Sequence, residues 1–342
     1  MLPGFGWMLS YTPSFGRIGV CVFFVLSGYI LSYSYGEQDW RGDFGRNARG
    51  FYWSRFARIY PLHWLMFLFA LPLGLNSRTA RVSISEFPFL LTLTDSLWPG
   101  HPPMVQPVKA AWTLSCEVFF YLLAPFCFLV LCRRKNPLAL AGAILAAYTA
   151  LIVFLALKFG DLNWSAYLRM PEFLMGIVGY HLSRRIDLAR FAHGLLFGGV
   201  VLLACVGATD TVFRLPHLFY SFAYAPGALM VILCLACVRG STKEFFSRPS
   251  LVLFGNASYA LYLLHDPVLR YLKVALDRTQ IVLPRPWSVL AAVLLFVSTL
   301  LVATLCYKFY ENPIRLKLRA LFQRRPRRIP SAVPSEVPLE IQ

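Results

Sequence analysis

A chain of 342 residues that is 58% hydrophobic and only 14% charged is not a soluble domain, for which roughly 25% charged residues is usual. The formal net charge of +17 sits mostly in short segments between apolar runs. Anionic headgroups and the positive-inside rule account for it there, so it does not point to nucleic acid.

The apolar runs are about 20 residues long, the length that crosses hydrocarbon as a helix. They are continuous rather than alternating, which excludes a β-barrel. The predicted fold class is therefore all-α, a polytopic bundle of transmembrane helices. In chain order, nine spans are predicted, over roughly 17–35, 59–75, 112–132, 138–157, 164–182, 193–208, 217–238, 251–271 and 287–309. Residues 86–98 (EFPFLLTLTDSLW) are too short to cross straight and read as a re-entrant or interfacial segment. Residues 1–315 form the membrane part. Residues 316–342 form a basic, Pro-rich cytoplasmic tail whose last part (RRIPSAVPSEVPLEIQ) is expected to be disordered. No internal repeat is evident.

The N-terminal MLPGFGWMLSYTPSF lacks a basic n-region, so no cleavable signal peptide is expected. Nearly all of the eight cysteines fall within apolar runs. They read as packing residues. Cys234 and Cys237 form a CxxC inside a span, where neither a zinc site nor a disulfide framework is favoured. No metal is expected.

Lys and Arg are concentrated in the first, third, fifth, seventh and final segments between spans, which marks these as cytoplasmic and puts the C-terminus inside. Nine spans then leave the N-terminus outside, with no basic residue before Arg17. The topology suggests a chain lacking its opening span.

Several ionisable residues lie inside the apolar runs. Glu117, in AAWTLSCEVFFYLLAPF, would cost roughly 2.5–3.5 kcal/mol as a carboxylate at a helix centre. At 1.5 Å per residue it lies roughly 8 Å below the outer surface, and His265 of SYALYLLHDPVLRY lies about 9 Å below it. Both are expected to face the bundle or a wet cavity. Two readings stand. The carboxylate orients the imidazole for chemistry, or the two form a hydrogen-bonded pair that fixes helix packing. Arg169 and Glu172 share one helix face and are expected to neutralise each other. Asp266, before Pro267, is a candidate cap for a helix break. Arg55 and Arg58, at i and i+3 in FYWSRFARIYPLHW, suit a phosphate-bearing ligand. The alternative there is positive-inside anchoring, with Trp53, Tyr60 and Trp64 as an interfacial belt.

Five blocks follow one another in order: GVCVFFVLSGYIL (19–31), RFARIYPLHW (55–64), WTLSCEVFFYLLAP (112–125), FGNASYALYLLHDP (254–267) and YKFYENP (307–313). As an ordered set covering most of the chain, they resemble the membrane acyltransferase type 3 family, whose members O-acylate sugars, surface polysaccharides and some natural products. The resemblance implies ten spans with both ends cytoplasmic, in a bacterial inner membrane. It implies acyl-CoA as donor, with acetyl the expected group, and a hydroxyl of a glycan, polysaccharide or glycosylated small molecule as acceptor. By the same resemblance Arg55 and Arg58 hold the donor's phosphates. Glu117 is functional, with Trp112, Ser115 and Tyr121 near it, and Ser258, Tyr259, Tyr262 and His265 form a second functional block. The sequence departs from the family in one respect. Members begin with a helix ending in a catalytic histidine, and this sequence opens in what would be the loop after it. A start placed too late, a truncated inactive gene, or His265 serving as the base are the competing explanations. A transporter or exporter is the alternative to the enzyme reading, since intramembrane Glu and His also serve transport.

Overall fold

The computed structural model describes residues 6–75, 82–97, 106–159, 166–213, 217–279 and 284–323. Among these residues all regular structure is helical. The long helices are α1 (Gly6–Tyr35) and α2 (Phe44–Leu75), followed by a short α3 (Phe87–Thr92) with a 3-10 turn on either side. Next come α4 (Trp112–Leu131), α5 (Pro137–Phe159), α6 (Ala166–Ser183), α7 (Ala192–Phe213) and α8 (His217–Cys237). A short α9 (Ser241–Phe246) leads into α10 (Pro249–Thr279) and α11 (Arg285–Cys306). A π turn, Tyr307–Glu311, joins α11 to α12 (Asn312–Gln323).

Each of the nine predicted spans falls on one of these helices. Six stretches among the described residues are long and apolar enough to cross a membrane: Gly16–Tyr35, Phe44–Leu75, Lys109–Leu131, Pro137–Lys158, Ala189–Asp210 and Trp287–Phe322. The apolar part of α8, Phe222–Cys237, is shorter. The other two expected spans, α6 and α10, do not reach that apolarity. They carry polar side chains: Arg169 and Glu172 on α6, and His265, Asp266, Arg270 and Lys273 on α10. Apolar residues exposed along α5 and α11, such as Phe154, Leu157, Phe296 and Leu301, give the surface that hydrocarbon wets. In water a patch of this kind would be an association site.

The core lies among α1, α2, α4, α6 and α10. Its centre is aromatic, with Phe24 edge-on to Phe120 at 5.1 Å and Phe120 stacked on Phe173 at 5.1 Å. The α1–α6 crossing is a backbone contact. A Cβ on Gly28 would lie 2.0 Å from the Phe173 carbonyl oxygen, and one on Gly176 would lie 2.0 Å from that of Val25. Small residues permit this approach, which is how membrane helices gain dispersion contacts without a hydrophobic drive. A second buried cluster, with Cys21, Val25 and Tyr224, joins α1 to α7 and α8.

The polar residues of RFARIYPLHW staple α2 to its neighbours. The last turn of a helix leaves carbonyls without partners. At the end of α3 the Tyr60 phenol, the His63 Nε2–H and the Trp64 indole N–H donate to the carbonyls of Thr92, Leu90 and Leu91, at 2.9, 2.9 and 3.0 Å. Tyr60 and Trp64 thus hold the short helix of the 86–98 segment. At the other end of α2, Trp53 donates to the Leu318 carbonyl at 2.7 Å and stacks on Phe322. Residues 316–323 of the expected tail are therefore helix packed on α2, and 324–342 lie outside the described residues.

Asp266 does not cap a break, because α10 runs on through Pro267. Its carboxylate accepts the Lys109 backbone N–H at 3.0 Å, the first residue of the 3-10 turn that starts α4. Arg270 donates to the Pro107 carbonyl at 2.5 Å. Together these two side chains fasten the approach to α4 onto α10. All eight cysteines are free thiols.

Candidate functional site

The spacing of three residues on α2 puts Arg55 and Arg58 on adjoining positions of one helical face. The Arg55 guanidinium lies against the rings of Tyr35, Phe51 and Tyr121, at 5.6, 5.8 and 5.8 Å from their centroids. It donates to the Tyr35 hydroxyl at 3.3 Å and to Ser54 Oγ at 3.2 Å. Arg58 lies 5.3 Å from the centre of the Tyr259 ring and donates to Glu311 Oε1 at 2.6 Å. Beside Pro61, the Tyr259 and Tyr310 phenols donate to the Ile59 and Pro61 carbonyls. Aromatic faces suit a guanidinium because their quadrupole attracts the cation while leaving N–H groups free for an anion.

Glu117 and Tyr121 stand at i and i+4 on α4, so carboxylate and phenol are neighbours. Glu117 is 4% exposed. It accepts a hydrogen bond from Ser27 Oγ of α1 at 3.2 Å, interacts with the Tyr121 phenol, and feels the charges of Arg55 and Arg58. Residues from α1, α2, α4 and α10 thus converge on one polar cluster.

His265 stands apart from that cluster. It is exposed on α10, with Nδ1 2.5 Å from the Tyr262 carbonyl. A carbonyl can only accept, so Nδ1 is the donor in this contact, and in a neutral ring Nε2 is then the nitrogen with the lone pair. The expected couple of carboxylate and imidazole is not formed, since no hydrogen bond joins His265 to Glu117 among the described residues. Tyr262 bridges the interval: its ring lies 5.6 Å from that of His265, and its hydroxyl pairs with Thr113 Oγ1 at 3.0 Å. Along α10, Tyr259 and His265 are separated by roughly 9 Å.

The remaining predicted residues serve other contacts. Ser115, fully buried, donates to Asp95 Oδ1, and Gln106 donates to Asp95 Oδ2. The three groups lock the segment after α3 onto α4. Burial raises the Asp95 carboxyl pKa above the usual range, although the Ser115 and Gln106 hydrogen bonds act the other way. Trp112 lies 5.9 Å under the Arg169 guanidinium, which pairs with the fully buried Glu172 at 3.2 Å. Ser258 is exposed and donates to Gly255 O of its own helix at 2.7 Å, outside the cluster.

Several groups at the cluster were not singled out in the sequence. Ser54 Oγ receives Tyr35 at 3.2 Å, Arg55 at 3.2 Å and Arg319 of α12 at 2.8 Å. Glu311 belongs to the YKFYENP block, yet nothing in the sequence alone pairs it with Arg58. The signal for Arg315 and Arg319 is their spacing of four on a helix whose apolar residues Ile314, Leu318 and Leu321 recur at helical spacing. Elsewhere, Arg17 pairs with Asp210 at 2.7 Å and the Tyr224 phenol donates to Asp210 at 2.9 Å, joining α1, α7 and α8. No group of three or more His, Cys, Asp or Glu among the described residues is placed to hold a metal ion.

The sequence model of a family described as "Acyltransferase domain" matches residues 2–308. The chain is 32% identical to acyltransferase MdmB of Streptomyces mycarofaciens, over 94% of this chain and 86% of that protein. It is 24% identical to peptidoglycan O-acetyltransferase OatA of Listeria monocytogenes, over 88% of this chain and 51% of that protein. It is 27% identical to the putative peptidoglycan O-acetyltransferase YrhL of Bacillus subtilis, over 91% of this chain and 52% of that protein. The chain thus spans about half the length of these two peptidoglycan relatives. No solved structure matches.

Proposed function

The chain belongs to this acyltransferase family, as an integral membrane O-acyltransferase, and from that premise we propose that it moves an acetyl group from acetyl-CoA to a hydroxyl of a glycan or a glycosylated small molecule. The observation that carries the reading is the convergence of Arg55, Arg58, Tyr259, Tyr121 and Glu117 from α2, α4 and α10. Two half-buried guanidiniums and a buried carboxylate beside them suit a donor that is anionic at one end and reactive at the other. The donor's phosphates pair with Arg55 and Arg58 as charge-assisted hydrogen bonds. Its pantetheine arm then runs past Glu117 toward Tyr262 and His265.

The donor enters from the cytoplasmic side in this proposal. The segments after α1, α4 and α6 meet through the pairs Arg133–Asp39 and Arg184–Glu37; these are the basic segments that the positive-inside rule assigns to the cytoplasm, and the proposed entry lies there. In the transfer, the acceptor oxygen bonds to the thioester carbonyl carbon while His265 Nε2 takes its proton. The C–S bond then breaks, and the imidazolium returns the proton to the thiolate, giving an ester and free CoA. Glu117, held by Ser27 and Tyr121, faces the arginines and orders the donor path.

The test is CoA release together with ester-linked acetate on cell-surface glycan, in cells making the wild type, Arg58→Ala or Glu117→Gln. Both signals should fall at least tenfold in the variants at equal membrane abundance. Wild-type levels in both variants would refute the proposal.

A further inference from the structure

We propose that Arg315 and Arg319 of α12 complete, with Arg55 and Arg58 of α2, a four-guanidinium seat for phosphate groups. It rests on the donor reading above for the identity of its main occupant, the nucleotide end of an acyl-CoA. The geometry comes from the packing of α12. Trp53 fixes that helix through the Leu318 carbonyl and the Phe322 ring. Arg319 then reaches the same hydroxyl as Arg55, Ser54 Oγ, at 2.8 Å. One turn earlier, Arg315 is steered by Asn312 Oδ1 at 2.7 Å and faces the Glu311 carboxylate that holds Arg58.

Charge is the first reason to expect a ligand. Four guanidiniums gather around two carboxylates, Glu311 and the deeper Glu117. Arg55, Arg58 and Arg315 are half-buried and Arg319 is exposed, and like charges gathered this closely are unfavourable unless an anion offsets them. Unused hydrogen-bonding capacity is the second reason. Nε of Arg55 and Nε of Arg315 are buried without a hydrogen-bond partner in the protein. An incoming phosphate takes the guanidinium donors in the planar fork for which arginine is suited. Glu311, 3% exposed at the end of the π turn, is the resident anion until then.

Phosphate can come from the donor or from an anionic lipid headgroup lying along α12, and binding to the full chain in nanodiscs separates the two. Coenzyme A, dephospho-coenzyme A and pantetheine are the soluble probes, read by calorimetry in purely zwitterionic lipid. Arg315→Ala and Arg319→Ala should each weaken coenzyme A about tenfold and leave pantetheine, which has no phosphate, unchanged. Arg319→Gln keeps a donor for Ser54, and so keeps α12 docked, but should lose affinity as the alanine variant does. Lys317→Ala, exposed on the same helix, should stay within twofold. If Arg58→Ala weakens coenzyme A while the two α12 variants behave like Lys317→Ala, the four-arginine seat is refuted and the donor reading stands. If the wild type does not bind coenzyme A, yet retains anionic phosphatidylglycerol in a manner lost with Arg315 and Arg319, the seat stands and the donor reading falls. If neither phosphate source depends on α12, the seat is refuted.

Discussion

Arg58 and Glu311 are 253 positions apart in the chain and meet at 2.6 Å, which ties the middle of α2 to the turn between α11 and α12. The Glu311 side chain is 2% exposed and that of Arg58 is 28% exposed, so the pair is only partly open to water. Removing one partner of such a pair leaves the other charge uncompensated. Glu311→Ala should lower stability by about 3 kcal/mol, the low end for a buried pair because Arg58 keeps some water. Arg58→Ala/Glu311→Ala together should cost clearly less than the sum of the single changes. Thermal unfolding in detergent across the four-member cycle checks this, and strict additivity would show the ion pair to be unimportant.

The α1–α6 crossing makes a sharp contrast between two glycines. Gly176→Ala would place a methyl 2.0 Å from the Val25 carbonyl oxygen, so the two helices must part. Overpacking of this kind costs about 1–3 kcal/mol or more. Gly142 on α5 has nothing within 4 Å of an added Cβ. There the same change should be neutral or stabilising by up to about 1 kcal/mol, the helix-propensity gain. Monodispersity after heating, followed by size-exclusion chromatography, separates the outcomes. Equal behaviour of the two variants would argue against the close crossing.

Ser115→Ala tests whether that serine acts through the segment it locks. Asp95 would keep Gln106 but lose one buried hydrogen bond, at about 1–3 kcal/mol. The segment 82–97 should then become more sensitive to protease in nanodiscs, while coenzyme A binding changes less than twofold. Loss of coenzyme A binding with unchanged protease sensitivity would place Ser115 in the donor site instead.

The spans were legible because burial in lipid demands apolar runs, and each predicted run is a helix. Span number was less legible. A sequence profile treats α6 and α10 as apolar stretches with blemishes, whereas α6 pairs Arg169 with the buried Glu172 and α10 uses Asp266 and Arg270 to hold the approach to α4. The Arg55/Arg58 pair was visible from i, i+3 spacing. Its partners were not, because Glu311 reaches Arg58 across 253 positions of chain and Arg319 reaches the neighbouring Ser54 across 265, and no local pattern encodes such pairings. Arg319 was hidden further by composition, since the Arg- and Pro-rich sequence after residue 315 reads as a solvated tail while its first turns are an amphipathic helix. Equal depth suggested that Glu117 and His265 meet. Depth fixes only one coordinate, and the rotation of α4 turns the carboxylate to Ser27 and Tyr121 instead.

That rotation carries a kinetic prediction in which binding and chemistry move in opposite directions. Glu117 lies in the field of Arg55 and Arg58, so its charge competes with the donor's phosphates for the same guanidiniums. Glu117→Gln removes that competition, and KM for acetyl-CoA should hold or fall. It also removes the carboxylate that Ser27 and Tyr121 keep in place, and kcat should fall about 100-fold, in the range of a misplaced donor. Tyr121→Phe keeps the carboxylate but frees it to rotate, so kcat should fall about tenfold at nearly constant KM. Arg58→Ala should show the reverse split, with KM raised most. His265→Gln cannot accept the acceptor's proton at Nε2 and should lower kcat with KM for the donor unchanged. Steady-state CoA release at varied acetyl-CoA resolves all four variants. A raised KM with unaltered kcat in Glu117→Gln would mean that the carboxylate holds the donor rather than serving the transfer.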